Sequence, residues 1–405
     1  MSTKIEPKLL KGFRDFTAKE IFFRQYLQEK VKKTFELFGF SPLETPALEY
    51  LSTFKTNIGE DEKLFYQFKD NGDREVALRY DQTVPTCRYV ALNHNEIQFP
   101  YKRYQIQPVW RAEKPQKGRY REFLQCDADI FGVKGAEADA EVIALGIEIF
   151  KNLGFTDFVV KINDRSLFKD VPYAVIVAID KLPKIGEQEV IKEIVSKGYN
   201  VSQAEGFLKQ VSSVKPNKTL MAIFSYLETL GIENKYYMFA PDIARSFSYS
   251  NGPIWEIVIP GFTAGSVLGG ERFDNLVGKF SSQEIPGTGF GLGFDRTLEA
   301  MAQFGLLPEF ISQTKVLVTV FSQELFPQSL KLTSRFRKED INTEIYSVVN
   351  HNLNRQLKYA SSQKIPYVVV LGEDEIKKNL IMVKNMEQKS QHLMTVIDFI
   401  NLLNT

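Results

Sequence analysis

The segment Trp110-Arg111-Ala112-Glu113-Lys114-Pro115-Gln116-Lys117-Gly118-Arg119-Tyr120-Arg121-Glu122-Phe123 brings together the side chains needed to hold a nucleotide. Guanidinium forks at Arg111 and Arg121 match phosphate oxygens two at a time. Phe123 offers a ring face to a nucleobase, and Glu113 can accept a hydrogen bond from its amino group. Residues 102–121 carry seven Lys and Arg against Glu113 alone, although a basic run by itself also fits a solvated face. No G-x-x-x-x-G-K-[ST] sequence is present, and the glycine run 287–293 lacks the spacing of a dinucleotide fingerprint. The chemistry indicated is a triphosphate site without a Walker loop. The glycines at 287, 289, 291 and 293 are expected to serve close packing of strand and helix beneath it. Cys87 and Cys126, with His94, His351 and His392, fall at no metal-ligand spacing, so a zinc site or a disulfide framework is set aside. Cys126 reads as a small core residue, because no histidine is near it in sequence.

Strand-like sequence flanks this segment on both sides, so it reads as a long β-hairpin with a basic loop. A helix is predicted over Lys19–Phe38, from the spacing of Ile21, Phe22, Tyr26, Leu27, Val31 and Phe35 and the stop at Gly39. Short strands are expected at 76–80 and 101–109. The character changes between Ile185 and Ile232, where three helices are predicted over 186–199, 202–214 and 220–232, the second opened by a capping box Ser202–Glu205. Strand signals return at 253–259, and a helix is expected over 295–304. Beyond a polar linker at 308–315 the order becomes strand 316–321, helix 327–339, strand 343–347, helix 353–362, strands 367–371 and 380–384, and a last helix 393–403. That alternation implies a small α/β domain.

With 405 residues, two or three domains are expected. Hydrophobic residues at 43% and charged residues at 25% suit a globular chain, and no apolar run approaches the ~20 residues that span a bilayer, so no membrane role is expected. The polar N-terminus carries no secretory signal, which makes a cytoplasmic location the expectation.

The hairpin segment resembles motif 2 of class II aminoacyl-tRNA synthetases and, more narrowly, of histidyl-tRNA synthetases. The likeness extends along the chain. Lys11-Gly12-Phe13-Arg14-Asp15-Phe16 is similar to the family's N-terminal signature, and Phe38 to Glu49, with Gly39, Thr45 and Pro46, to motif 1. Leu78 to Pro85 and Gln125 to Gly132 resemble the histidine pocket, and Gly291 to Arg296 resembles motif 3. The resemblance implies an α+β protein: a class II catalytic core at 1–313 (an antiparallel sheet flanked by helices) with a helical insertion at about 165–242. A C-terminal α/β anticodon-binding domain at 314–405 would follow, where twelve Lys and Arg face nine Asp and Glu.

It further implies a histidine-tRNA ligase using ATP and Mg2+, acting on histidine and tRNA(His) as a homodimer built through motif 1. Carried over by resemblance, Asp81 and Thr83 hold the α-amino group, and Gln125, Asp129 and Tyr249 surround the imidazole. Arg111 and Arg245 face the α-phosphate as catalytic residues, and Arg245 takes a place held by metal in related enzymes. Arg296 takes the γ-phosphate, Glu113 and Phe123 the adenine, and Arg119 and Arg121 complete the phosphate and acceptor-end contacts. Gln116 and Lys117 meet the acceptor stem. Two positions depart from the family pattern, Ser250 and Phe273 standing where tyrosines are usual, so two hydroxyls near the imidazole are expected to be missing. Two alternatives follow: a catalytically weakened synthetase-like sensor, and a regulatory subunit that binds a phosphoribosyltransferase. The C-terminal segment argues against the second, because such a paralogue usually lacks it.

Overall fold

A computed structural model of the chain describes residues 5–55, 64–115, 118–244, 249–349 and 351–404. The backbone forms two compact units, Met1–Pro308 and Glu309–Thr405. The first opens with α1 (Ala18–Leu37), close to the predicted span. The Thr17 hydroxyl accepts from the Glu20 amide, and the Glu20 carboxylate accepts from the Thr17 amide at 2.7 Å. This reciprocal cap satisfies helix-end donors that have no partner within the helix.

Strands β1 (Ser41–Pro42) and β2 (Leu48–Tyr50) lead through α2 (Leu51–Lys55) to β3 (Gln67–Lys69), β4 (Glu75–Leu78) and α3 (Thr83–Asn93). The basic segment does close a hairpin, between β5 (Tyr101–Trp110) and β6 (Glu122–Phe131). After α4 (Ala136–Asn152) and β7 (Val159–Asp164) come α5 (Tyr173–Ile179), α6 (Leu182–Ile185), α7 (Glu187–Ser196), α8 (Val201–Ser212) and α9 (Lys218–Thr229). Strands β8 (Tyr237–Phe239), β9 (Pro253–Val258), β10 (Leu268–Arg272) and β11 (Gly287–Gly293) and helix α10 (Phe294–Gln303) complete the unit.

The helical stretch differs from its sequence reading in two respects. The capping box at α8 is Asn200 with Gln203, not Ser202 with Glu205: the Asn200 side-chain oxygen Oδ1 accepts from the Gln203 amide at 2.8 Å, and Gln203 Oε1 accepts from the Asn200 amide at 2.9 Å. That start puts Ala204, Leu208 and Val211 on one inward face. The three predicted helices also do not form one body. Helices α5, α7 and α8 share a separate apolar core, whereas Leu220, Ile223 and Leu227 of α9 join the main core.

Among the described residues the main sheet runs β1-β5-β6-β11-β10-β9-β7-β8, antiparallel from β5 to β7 and parallel at both edges. Its strands alternate, so its two faces differ in chemistry. On β6 Cys126, Ala128 and Ile130 point into the apolar core with α1 and α4, which leaves Gln125, Asp127 and Asp129 for the opposite face. The same alternation puts Phe290 and Leu292 of β11 in the core and its glycines on the far side. The run 287–293 is therefore itself a central strand, and helix α10 follows it directly. A smaller sheet, β2-β4-β3, and a second apolar cluster that includes Phe54, Tyr80, Val84 and Phe273 belong to the other side.

Arg272 is a brace. Its Nε donates to both oxygens of Asp139 in α4 at 3.1 Å, and its other nitrogens reach the Val133 and Gly135 carbonyls and Asp274. Burial raises the Asp139 carboxyl to about 6 despite that partner. Arg272→Ala leaves this carboxylate buried and unpaired, and we expect it to destabilise the unit by about 3–5 kcal/mol. Urea unfolding midpoints test this, and a loss below about 1 kcal/mol, the scale of an exposed pair, would contradict it.

The second unit carries β12 (Val316–Val318), α11 (Phe326–Lys338), β13 (Thr343–Ile345), α12 (Leu353–Ser362), β14 (Tyr367–Val370), α13 (Glu373–Lys378), β15 (Ile381–Asn385), β16 (Ser390–Met394) and α14 (Val396–Asn404). Their order in the sheet is β13-β12-β14-β15-β16. The α/β reading holds, with two corrections. The short helix α13 was missed, and residues 393–394, read as the start of the last helix, belong to β16 and pair with β15. Thr395 accounts for the boundary: its hydroxyl accepts from the Asp398 amide at 3.1 Å, an N-terminal cap that starts α14 after it.

Candidate active site

On the polar face of the main sheet lies a cavity of about 380 Å3. The hairpin contributes Arg111, Glu113, Arg119, Phe123, Gln125 and Asp129 to its wall, the turn after β4 contributes Asp81, α3 contributes its first residue, Thr83, and Tyr249 and Arg296 come from the second half of the unit. These ten residues were candidates from sequence, and they meet in one space. Arg121 does not join that wall. Its Nε donates to the Glu113 carbonyl at 3.0 Å and its side chain covers Gly12, so it latches the N-terminal segment to the hairpin. Arg245, Gln116 and Lys117 lie outside the described residues.

One end of the cavity is cationic. Arg111 Nε donates to the Tyr80 carbonyl at 3.1 Å, and its guanidinium lies 5.1 Å from the Phe123 ring centre. Arg296 donates from Nε to the Gly118 carbonyl at 3.2 Å and from Nη1 to the Ser266 carbonyl at 3.0 Å. Arg119 sits 3.7 Å from Glu113. Burial, then repulsion from Arg119 and Arg111, hold the Arg296 guanidinium below its ordinary pKa, while Glu256 and Glu299 oppose the shift. Crowded guanidiniums held by backbone carbonyls favour an incoming anion with several oxygens.

The N-terminal signature supports this end. Asp295, at the start of α10, accepts from Arg14 at 2.7 Å and Arg24 at 2.6 Å, and Arg14 lies over the Tyr120 ring at 3.2 Å. Arg14 thus ties motif 3 to the hairpin without lining the cavity.

A group of buried acids lines or backs the same cavity. Gln125 Nε2 donates to both oxygens of Asp127, at 2.8 and 2.9 Å. Asp129 forms an ion pair with Arg103, its fully buried cross-strand neighbour on β5. Asp81 accepts from the Val84 amide at 3.3 Å. Ser250 donates to Glu271, a further wall residue, and the buried Phe273 ring meets Tyr249 edge-on at 6.4 Å. At the two positions where tyrosine hydroxyls were expected to be missing, the chain has a committed serine hydroxyl and an apolar ring.

Arg103, Asp127 and Glu271 were not singled out from sequence. The first two sit at alternate positions opposite or beside Asp129, so strand period offered a signal for them. Asp180, which reaches the wall from the end of α5, had none.

Burial is the main cause that raises these carboxyls, Asp81 to about 7, Asp127 to about 8 and Asp129 to about 6. Each keeps its proton in the folded chain at a pH where the unfolded chain, titrating near 3.8, has lost it. Folding therefore takes up protons; this contribution to stability is complete below 3.8 and is lost as pH rises through about 6 to 8. The unliganded chain should melt at a lower temperature at pH about 8 than at about 6. Scanning calorimetry tests this, and a melting temperature that rises across that window would count against it.

A family profile described as "Histidyl-tRNA synthetase" matches residues 12–200, and one described as "Anticodon binding domain" matches 315–405. The chain is 36% identical to a histidine–tRNA ligase of Cytophaga hutchinsonii, over 98% of this chain and 99% of that protein. It is 35% identical to that of Wolinella succinogenes, over 96% of this chain and 95% of the relative. The solved histidyl-tRNA synthetase of Nostoc sp. PCC 7120 superimposes with a TM-score of 0.80 at 26% identity, covering 99% of each chain. Identity at this level along nearly the whole length, joined to the shared fold, shows that the chain belongs to the histidyl-tRNA synthetase family.

Proposed function

We propose that this cavity is where the chain, as an ATP-dependent histidine–tRNA ligase, joins histidine to AMP and then passes it to tRNA(His). The supporting observation is that one cavity wall gathers Arg111, Arg119 and Arg296, close enough for the first two to repel the third, together with the acids Asp81, Asp129 and Glu271. ATP lies with its phosphates among the arginines and its adenine on Phe123, where Glu113 accepts from the amino group. Histidine lies among the acids, its ammonium on Asp81 and Thr83 and its imidazole between Gln125, Asp129 and Tyr249. The substrate carboxylate attacks the α-phosphorus in line, and pyrophosphate departs. Negative charge grows on the equatorial oxygens, which fixed guanidiniums stabilise without having to reorganise. Arg111 and Arg245 carry that role, with Arg296 and Arg119 ordering the rest of the phosphate chain and Arg121 holding the hairpin to the N-terminal segment.

Mg2+ prefers carboxylate and phosphate oxygens. Glu256, in the cavity wall and near enough to influence Arg296, is the residue that would hold it. The ion supplies charge neutralisation on the departing phosphates. In the second step a terminal ribose hydroxyl of the tRNA attacks the activated carbonyl and AMP leaves, the acceptor stem lying near Gln116 and Lys117. Residues 1–313 form the catalytic domain, the helices at about 165–242 its insertion, and 314–405 the anticodon reader. The protein works in the cytoplasm as a homodimer built through the segment before Glu49. No helix among the described residues is long and apolar enough to cross a membrane.

Histidine-dependent exchange of pyrophosphate into ATP tests the first step, and charging of tRNA(His) tests the second. No exchange at saturating histidine and magnesium would sink the reading, and would favour a sensor that binds without charging.

A further inference from the structure

Asp129 is one of several acids in the cavity wall, and a fully buried guanidinium, that of Arg103, forms an ion pair with it. Arg103 and Asp129 are cross-strand partners on β5 and β6, and both project to the polar side of the sheet. The ion pair engages Arg103 Nη2 with Asp129 Oδ2. The second oxygen, Oδ1, lies over Gly289 of the cavity wall, in the space a Cβ would fill.

Arg103 is in turn fixed from behind. Its Nη1 donates to Gln105 at 3.3 Å, and Gln105 Nε2 donates to the Thr45 hydroxyl at 2.8 Å. Arg79 donates to the Thr45 carbonyl at 2.6 Å and to Gln107 at 2.9 Å. A buried polar chain thus runs from Asp129 to the segment before Glu49. We propose that Arg103 is a positioning residue for histidine selection: it occupies one oxygen of Asp129 from behind and leaves the other as a single, fixed, anionic acceptor above Gly289.

The consequence is chemical. A carboxylate with two free oxygens can rotate to meet donors of several shapes, including a forked guanidinium. A carboxylate pinned at one oxygen accepts one N–H along one direction, which suits a ring nitrogen. The pair also keeps the acid charged: burial alone drives a carboxyl towards its neutral form, and the neighbouring guanidinium opposes this. This inference rests on the assignment of Asp129 to the imidazole.

The test is histidine-dependent ATP–pyrophosphate exchange on the full-length chain, with Arg103→Gln, Arg103→Lys, Asp129→Asn and the double variant Arg103→Gln/Asp129→Asn. Arg103→Gln should raise KM for histidine by at least about tenfold and leave KM for ATP within about twofold. Arg103→Lys, which keeps the charge without the fork, should fall between parent and Arg103→Gln. In the Asp129→Asn background the loss of Arg103 should cost little more, because the group it positions is already changed.

An unchanged KM for histidine in Arg103→Gln overturns the inference. So does a parallel rise in both KM values, or a full additional loss in the double variant, since each marks a general structural role. If Arg103→Gln fails to fold, Arg103→Lys decides alone: an unchanged KM for histidine overturns the inference and a selective rise supports it. If the unsubstituted chain shows no exchange, the functional reading has failed, whereas exchange that is indifferent to Arg103 defeats this inference only.

Discussion

Arg111→Ala is expected to lower histidine-dependent ATP–pyrophosphate exchange by about 10²–10³-fold while leaving the unfolding transition in place. The expectation follows from where the side chain is held. Its Nε is committed to the Tyr80 carbonyl at 3.1 Å, which directs the guanidinium into the cavity beside Phe123. In the reaction proposed above, charge accumulates on the α-phosphate oxygens only as the carboxylate attacks. A fixed cation there acts on the transition state more than on bound ATP, so the loss should fall on kcat and less on KM for ATP. Arg296→Ala is a less selective experiment. Its guanidinium also ties the hairpin loop to the segment before β10 through the Gly118 and Ser266 carbonyls, so a loss there would mix chemistry with structure. Exchange by Arg111→Ala within about tenfold of the parent would remove Arg111 from the reacting end, since a single oxyanion donor is ordinarily worth more than that.

Gly289→Ala should cost histidine activation about 10²-fold or more, although it adds only a methyl group. Gly289 pairs with Asp129 across β11 and β6, and its new Cβ would overlap both the Asp129 Oδ1 atom and the Ala128 carbonyl. The carboxylate must turn away, and because the carbonyl belongs to a central strand the backbone of β11 must also move, so the unfolding midpoint is measured beside the exchange rate. Gly291→Ala supplies a graded comparison: its Cβ would stand 2.9 Å from Gln125 Nε2 and 3.1 Å from Asp127 Oδ1, both side-chain atoms with some freedom to yield. A smaller loss is expected there. In both variants KM for ATP should hold, because the phosphate end lies on other elements. Exchange by Gly289→Ala within about threefold of the parent would show that the acid above it does not choose the substrate.

Phe273 and Ser250 bear on the same pocket. A phenyl ring and a serine committed to Glu271 stand where the resemblance led us to expect tyrosine hydroxyls. In the proposed site the polar groups facing histidine therefore come chiefly from β6 and the segment after β4.

Much of the molecule was legible along the chain because it is written in local pattern. Alternation of polar and apolar residues in β5 and β6 marks a hairpin with one wet and one dry face. The apolar spacing of α1 and the stop at Gly39 mark its first helix, and the density of arginines between Arg111 and Arg121 marks an anion site. These features depend on neighbours two to four residues apart, so reading in sequence order finds them. The capping box at Asn200 and the strand at Ser390–Met394 were misread for the opposite reason: two local signals competed, and packing against a distant element chose between them.

Sequence by itself determined the family, many of the elements and the residue types at the site. Only the tertiary structure decided which of those residues share a cavity. It drew Arg121 out of the wall to latch Gly12, set Arg272 to brace Asp139, and put Arg103 behind Asp129. Partners so far apart in the chain meet only when strand register is set, and register is chosen by the burial of a whole face, not by the residues that meet.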